Sequence, residues 1–346
     1  MFCTSVRQPL TPCCPALPLS VVQLEATASA QALAMEASYR KSFKPPLWNN
    51  LSSSGTMRRM RTLRTETEDG VCSIILCRAK EYNTITPELR DELAAAIDAA
   101  DNDHDVRVIL LRADGKAFCA GYGLDWATAA QAEERTAADR PRGERHRVWD
   151  SVADLRVMKR FVDTYMKLWY AQKPTIAAVQ GWCIGGGTDM VLCADIIIAA
   201  ENASFGYPPS RVWGTPTTAM WVYRMGLEKA KRYLLCGDEI PAKKAAAIGL
   251  ILETVPADQL AAHALQFAKR MAQVPVNQLI MLKLLINQTA ENMGLSSSRT
   301  LGTLFDGIAR HTQEGLDFVG RAQEVGFRQA VRERDDPFGD YGSRKR

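Results

Sequence analysis

The sequence predicts an α/β domain with a largely parallel sheet, followed by a helical C-terminal region. Apolar runs at 71–77, 107–112, 175–179, 196–200 and 250–254 have the length and composition of buried strands, and helical patterns lie between them. From 256 onward the spacing is helical over 257–273, 275–290, 299–310 and about 313–333. Residues 86–100 show how a connecting helix is written. Thr86 caps the first turn, Pro87 suits its geometry, and Leu89, Leu93 and Ile97 recur every fourth residue on one face.

The first 56 residues differ from the rest. Prolines stand at 9, 12, 15 and 18, no acid precedes Glu25, and no hydrophobic periodicity develops, so a disordered arm is expected. Prolines interrupt the apolar run at 16–24 and only Arg7 precedes it, which argues against a secretory signal. A transit peptide fits the lack of early acids but not the scarcity of arginine before position 40. A third reading starts the protein at Met57. The expected division is a disordered arm over 1–56, an α/β core over 57–255 and a C-terminal helical region over 256–346. A cytoplasmic protein is expected, with the mitochondrial matrix as the alternative.

Composition narrows the function classes. The chain has 346 residues, 47% hydrophobic and 24% charged, as soluble globular proteins do. Its net charge of +4 is spread along the chain with no basic stripe, so nucleic acid is not an expected partner. No apolar run reaches about 18 residues, so no membrane span is expected. The nine cysteines lack paired metal spacing and the four histidines form no cluster, which points away from a metal site and from a Ser–His–Asp arrangement. Buried, reduced thiols are the plain reading. Cys119 and Cys183 flank glycine-rich segments, and a reactive thiol there is the alternative.

Residues 175–198, TIAAVQGWCIGGGTDMVLCADIII, carry the most chemistry. An apolar strand runs into a glycine turn, and three glycines open a helix with Asp189 behind them. Bare glycine admits a ligand close to the backbone, and a helix start offers unpaired N–H groups at a positive dipole end. Such a turn suits an oxygen that becomes negative during a reaction, each donor contributing about 3–4 kcal/mol in a dry site. Phosphate binding is the rival, but GxxxxGK[ST] is absent and no lysine stands in the turn. A second segment, RVILLRADGKAFCAGYGLDW at 107–126, again runs from a strand into small residues and glycine.

Together, AFCAG at 117–121, GGG at 185–187, CADIIIAAENASFGYP at 193–208 and GLEKAKRYLLCGDEIPAKKAAAIGLILETVP at 226–256 resemble the crotonase (enoyl-CoA hydratase/isomerase) superfamily, over roughly residues 65–338. The resemblance implies a spiral core of repeated ββα turns covered by the C-terminal helices, and subunits assembled as homotrimers or homohexamers. It also implies an acyl-CoA thioester substrate in fatty-acid (lipid) metabolism, with coenzyme A part of the substrate and no separate cofactor. Residues 127–150 are longer than the family has there and read as a mobile surface excursion beside the acyl pocket.

By the same resemblance, the thioester carbonyl sits between the backbone N–H groups of Tyr122 and Gly186, where two donors stabilise an enolate more than the ground state. Asp189 takes the position of the first catalytic carboxylate; its alternative is a helix-start acid meeting the dipole. Arg78 and Lys80 are expected to meet phosphates of coenzyme A, with Ala79 replacing the usual proline. Ala120, Gly121, Gly123, Leu124 and Gly185 are expected to contact the CoA ester. Where hydratases read FGQPE this chain reads FGYPPSRVWG at 205–214, so Pro209 stands at the second glutamate. Tyr207 or Arg211 remains to orient substrate or water, and Asp125, Asp150 or Glu201 to replace the acid. The expectation is hydration of a 2-enoyl-CoA. The alternatives are isomerisation or C–C hydrolysis without the second glutamate, or a catalytically weak acyl-CoA-binding protein.

Overall fold

The computed structural model describes residues 60–123 and 151–341. The arm over 1–56, the excursion at 127–150, and Leu124, Asp125 and Asp150 lie outside the described residues.

The five predicted strand runs, the last of them shifted to 253–255, join an edge strand outside the prediction in one six-stranded sheet: β1 (Leu63–Glu68), β2 (Val71–Leu76), β3 (Val108–Ala113), β5 (Thr175–Val179), β7 (Ile196–Ala200) and β10 (Glu253–Val255), in that spatial order. β1 and β2 are antiparallel and every later pair is parallel. The inner strands read as unbroken apolar runs because both faces are covered. Ile74, Ile109, Leu111, Val179 and Ile197 face the main core, whereas Val71, Val108, Leu110, Ile176 and Ile198 face the other cluster with Leu260, Ala264 and Ala268. These last three lie on helix α7, defined below. β1 carries no such pattern, since five of its six residues are exposed. It is held by the hairpin at Asp69-Gly70, whose φ values of 49° and 77° are those an Asp-Gly turn adopts between antiparallel strands.

A second sheet escapes sequence reading because its strands are only two or three residues long. β4 (Ala117–Cys119), β6 (Trp182–Ile184), β8 (Ser204–Gly206) and β9 (Ile240–Pro241) pair in that order, parallel except for the last pair. This small sheet positions the site.

Helix α1 (Pro87–Asn102) starts as expected, the Thr86 hydroxyl accepting from Leu89 N at 3.2 Å. It is followed by α2 (Ser151–Tyr170), α3 (Gly186–Val191), α4 (Met220–Met225), α5 (Leu227–Leu234) and α6 (Ala242–Ala247). The C-terminal region holds α7 (Leu260–Met271), α8 (Val276–Asn292), α9 (Leu295–Ala309), α10 (Gln313–Val325) and α11 (Phe327–Asp335). The helix expected over 313–333 is two helices, because Gly326 breaks it with φ +82°.

α9 approaches the core on small and polar residues. Leu295, Thr303, Asp306 and Gly307 are its buried positions. A Cβ added at Gly302 would stand 2.6 Å from Pro216 O, and one at Gly307 2.7 Å from Asp154 Oδ2. No side chain fits at either glycine.

Beyond α11 the chain is pinned by Arg211. Its guanidinium, 2% exposed, pairs with Asp335 Oδ1 at 2.9 Å and Asp340 Oδ2 at 2.8 Å, and lies 3.9 Å from the Phe338 ring centroid. Breaking a buried ion pair costs about 3–5 kcal/mol, but Arg334 also holds Asp335. Arg211→Ala is therefore expected to lower unfolding free energy by about 2 kcal/mol in a denaturant titration, with earlier hydrogen exchange over 336–341.

Candidate active site

The two glycine motifs, some 65 residues apart in sequence, meet because β4 and β6 are parallel neighbours. Their register pairs Cys119 with Cys183, so 120–122 and 184–186 leave the sheet side by side at the same end. A Cβ built on Gly121, whose φ is +89°, would lie 3.0 Å from Ile184 O and 3.8 Å from Gly186 N. Gly187 has no room either, with Cys119 O 2.4 Å from its Cβ position. Gly185 adopts φ 56° and ψ −122°, a conformation open only to glycine. Glycine is required here by contact and by conformation.

This turn leaves two amides unspent. Gly121 O accepts from Ile85 N at 2.8 Å and Gly123 N donates to Ile85 O at 3.1 Å, which turns Tyr122 N to the opposite side. Gly186 N opens α3 and has no acceptor behind it, while Gly185 N is used by Gly206 O at 2.9 Å. Among the described residues neither Tyr122 N nor Gly186 N donates a hydrogen bond. The Tyr122 ring lies over Gly186, its Cε2 2.6 Å from where a Cβ would stand, and its hydroxyl accepts from Tyr165 Oη at 2.9 Å. Burial pushes both phenols up, so both keep their protons. The geometry is that of two neighbouring donors able to hold one small anionic oxygen.

Residues 66–323 match the family model of enoyl-CoA hydratase/isomerase. The chain belongs to that family. The curated relatives include an enoyl-CoA hydratase-named protein of Mycobacterium tuberculosis (EchA13), 32% identical over 70% of this chain and 78% of that protein. The 2,3-dehydroadipyl-CoA hydratase of Escherichia coli is 27% identical over 76% of this chain and all of that protein, a coverage of 100%. The crystal structure of an enoyl-CoA hydratase from Mycobacterium smegmatis superposes with a TM-score of 0.75 at 42% identity, covering 82% of this chain and 96% of that one. The crotonase fold expected from the motifs is the fold found.

In this enoyl-CoA hydratase/isomerase the carboxylate that the motifs single out is held inside the protein. Asp189 lies in the first turn of α3, 1% exposed. Its Oδ2 accepts from Thr217 N at 2.7 Å and Thr217 Oγ1 at 2.9 Å, and its Oδ1 from Trp221 Nε1 at 2.9 Å. Burial raises it to about 6 against the downward pull of those donors, and nearby Asp306 adds to the rise. Both oxygens are engaged inside the protein, so Asp189, expected as the proton carrier, also anchors the segment 217–221 to the helix that carries Gly186. The ties from Thr217 and Trp221 to Asp189 are not legible in the sequence, since nothing local links them to a residue 28 or more positions earlier.

Pro209 is the second residue of a 3₁₀ turn (Pro208–Arg211), and its Cγ is 3.6 Å from the Cβ position of Gly185. No carboxylate of that turn faces the glycines. Arg211 is spent on the C-terminal acids, and the Tyr207 hydroxyl donates to Thr215 O at 2.7 Å, so neither is free to orient substrate. Glu201 is exposed and pairs with Lys243 at 3.3 Å, which removes it as a replacement acid. Asp306 was overlooked. It is buried on α9, with Oδ1 3.4 Å from the Cβ position of Gly214, and that same position is 2.8 Å from Pro209 Cβ.

Of the expected CoA contacts, Lys80 and Ala120 are exposed and Gly121 and Gly185 are buried. Arg78 Nη1 donates to Thr84 O at 3.1 Å, which holds the guanidinium along the 78–84 loop. Asn83, at φ +51°, ties this loop to the glycine segment through Nδ2 bonds to Asp114 O (2.9 Å) and Ala117 O (3.0 Å). Ala79 packs against Gly115, where a Cβ would come within 2.6 Å of its methyl. Both flanking thiols are fully buried, and burial pushes Cys119 up to about 12 and Cys183 well above its ordinary value. They are packing groups, not reactive thiols.

Proposed function

We propose that the chain acts on an acyl-CoA thioester, holding the thioester oxygen between Tyr122 N and Gly186 N and stabilising the enolate formed there. Hydration of a 2-enoyl-CoA is the reaction this reading favours. The observation that carries it is the pair of unspent amides, side by side at the ends of two parallel strands. Arg78, Lys80, Ala120, Gly121, Gly123 and Gly185 supply the CoA-binding rim; coenzyme A arrives as part of the substrate, and the reaction calls for no further cofactor. Isomerisation of an enoyl-CoA is the second reading, favoured by Pro209 at the place of a carboxylate, since moving one proton needs one group where hydration commonly employs two.

Purified protein mixed with crotonyl-CoA is expected to bleach the conjugated thioester absorbance and form the 3-hydroxyacyl product. With a 3-enoyl-CoA, a gain of that absorbance marks isomerisation. Tight binding of both esters with no turnover of either contradicts an enzyme and leaves the binder.

The assembly and compartment belong to the same proposal. α8 and α9 turn Met281, Leu284, Leu285, Ile286, Leu301 and Phe305 outward, all more than 40% exposed. Apolar faces of this extent mark association sites, and we propose that further copies of this chain cover them, as trimers or pairs of trimers. Light scattering giving a monomer at micromolar concentration contradicts this. Among the described residues no helix is long and apolar enough to cross a membrane, and an aqueous compartment that holds CoA esters, cytoplasm or mitochondrial matrix, is proposed.

A further inference from the structure

We propose that Asp306, carried on α9, is the second acid–base group of this site, standing behind the place where Pro209 leaves the 207–211 turn without a carboxylate. The inference rests on the acyl-CoA reading above and adds a residue that the motifs do not contain.

Position is the first argument. The chain of contacts runs from Gly185 to Pro209 (3.6 Å), from Pro209 to the Cβ position of Gly214 (2.8 Å), and from there to Asp306 Oδ1 (3.4 Å). Only the width of a glycine separates the carboxylate from the missing glutamate's backbone. At Gly214 any side chain would collide with Pro209 and crowd Asp306, so the close approach of these two residues requires glycine there. α9 is seated by residues that allow its closest approach: Gly302 and Gly307 meet backbone and carboxylate directly, and Thr303 Oγ1 lies 3.3 Å from Thr217 O, on the segment anchored by Asp189.

The second argument is the way Asp306 is held. Arg310 Nη1 pairs with Asp306 Oδ2, and its Nη2 with Asp154 Oδ1 at 2.9 Å; Thr215 N also donates to Asp306. Asp154 and Arg310 are each partly buried, and His311 Nε2 stands 3.5 Å from Asp154 Oδ2. The groups facing Asp306 are therefore Asp154 of α2, Arg310 and His311 after α9, Asp189 of α3, and the phenols Tyr122 and Tyr207. One guanidinium faces two carboxyls, Asp306 and Asp154. Burial raises Asp306 while Arg310 pulls it back. A carboxylate offers about four acceptor sites, so two donors leave Asp306 capacity for a water.

The step balances without further reagents. A water held at Asp306 loses a proton to the carboxylate as its oxygen bonds to the β carbon of the enoyl thioester. The π pair of the Cα=Cβ bond moves into the thioester as an enolate, whose oxygen is held by Tyr122 N and Gly186 N. The carboxyl proton then passes to the α carbon, the carbonyl re-forms, and Asp306 is ionised again.

The test uses the full chain with crotonyl-CoA. Asp306→Asn is expected to lower kcat by about 10²–10⁴-fold with KM little changed, and Asp306→Glu to recover part of the loss. Arg310→Gln removes the cation that holds Asp306 down. The acid limb of its kcat–pH profile is expected to move up by about 1–3 pH units, a shift that a purely structural Asp306 does not produce. If Asp306→Asn fails to fold, the Arg310→Gln profile and the Asp306→Glu rate decide. Wild-type kcat in Asp306→Asn, or an unmoved acid limb in Arg310→Gln, overturns the assignment while leaving the acyl-CoA reading intact. A wild-type protein that neither binds nor turns over CoA esters overturns both.

Discussion

Gly186→Pro is expected to lower kcat on an enoyl-CoA by about 10²–10³-fold, the cost of losing one oxyanion donor. The substitution removes the N–H while keeping a backbone that proline tolerates at the first position of a helix. It also adds a Cβ, and a Cβ there meets the Tyr122 ring at 2.6 Å and Ile85 Cδ1 at 3.0 Å. Gly186→Ala carries the same crowding with the donor intact, so the ratio of the two variants isolates the amide. Steady-state rates on crotonyl-CoA give that ratio. If both variants are slowed equally, Gly186 matters for space and not for the anion.

Asp189→Ala is expected to cost about 3–5 kcal/mol of folding stability, because it strands Thr217 N, Thr217 Oγ1 and Trp221 Nε1 in a water-free interior. The pH dependence carries a second signature. In the folded chain Asp189 is raised from 3.8 to about 6, so the folded state holds this proton more tightly than the unfolded one. Its favourable contribution is complete below the unfolded value and is lost as pH rises through the folded one, a loss of about 3 kcal/mol between pH 4 and 6. Asp189→Asn has no such proton, so its stability is expected to fall less over that range than the wild type's. Urea titrations from pH 4 to 7 read the difference. Parallel curves for wild type and variant contradict a buried, titrating Asp189.

What the sequence made legible follows from locality. The long parallel strands announce themselves because both faces are buried, so Val71, Ile109, Ile176 and Ile198 sit in unbroken apolar runs. Thr86 as a cap is legible because capping involves Leu89, three residues on. The glycine turns are legible because contact leaves them no choice of residue. β1 and the second sheet are not, since a mostly exposed edge strand and strands of two or three residues carry no periodic signal. The carboxylates are the harder case. A helix-start aspartate looks the same whether it meets a dipole, a substrate, or Thr217 and Trp221, and only tertiary contacts choose. Asp306 left one faint trace: Gly302, Thr303, Asp306, Gly307 and Arg310 lie on one helical face, where small and charged residues replace the apolar stripe of a packing helix.

The most direct test of the central claim is a structure of the protein with a saturated acyl-CoA bound. The thioester oxygen is expected about 2.7–3.1 Å from both Tyr122 N and Gly186 N. An ester whose carbonyl lies away from these two amides, with the amides bonded instead to the protein's own oxygens, contradicts the account.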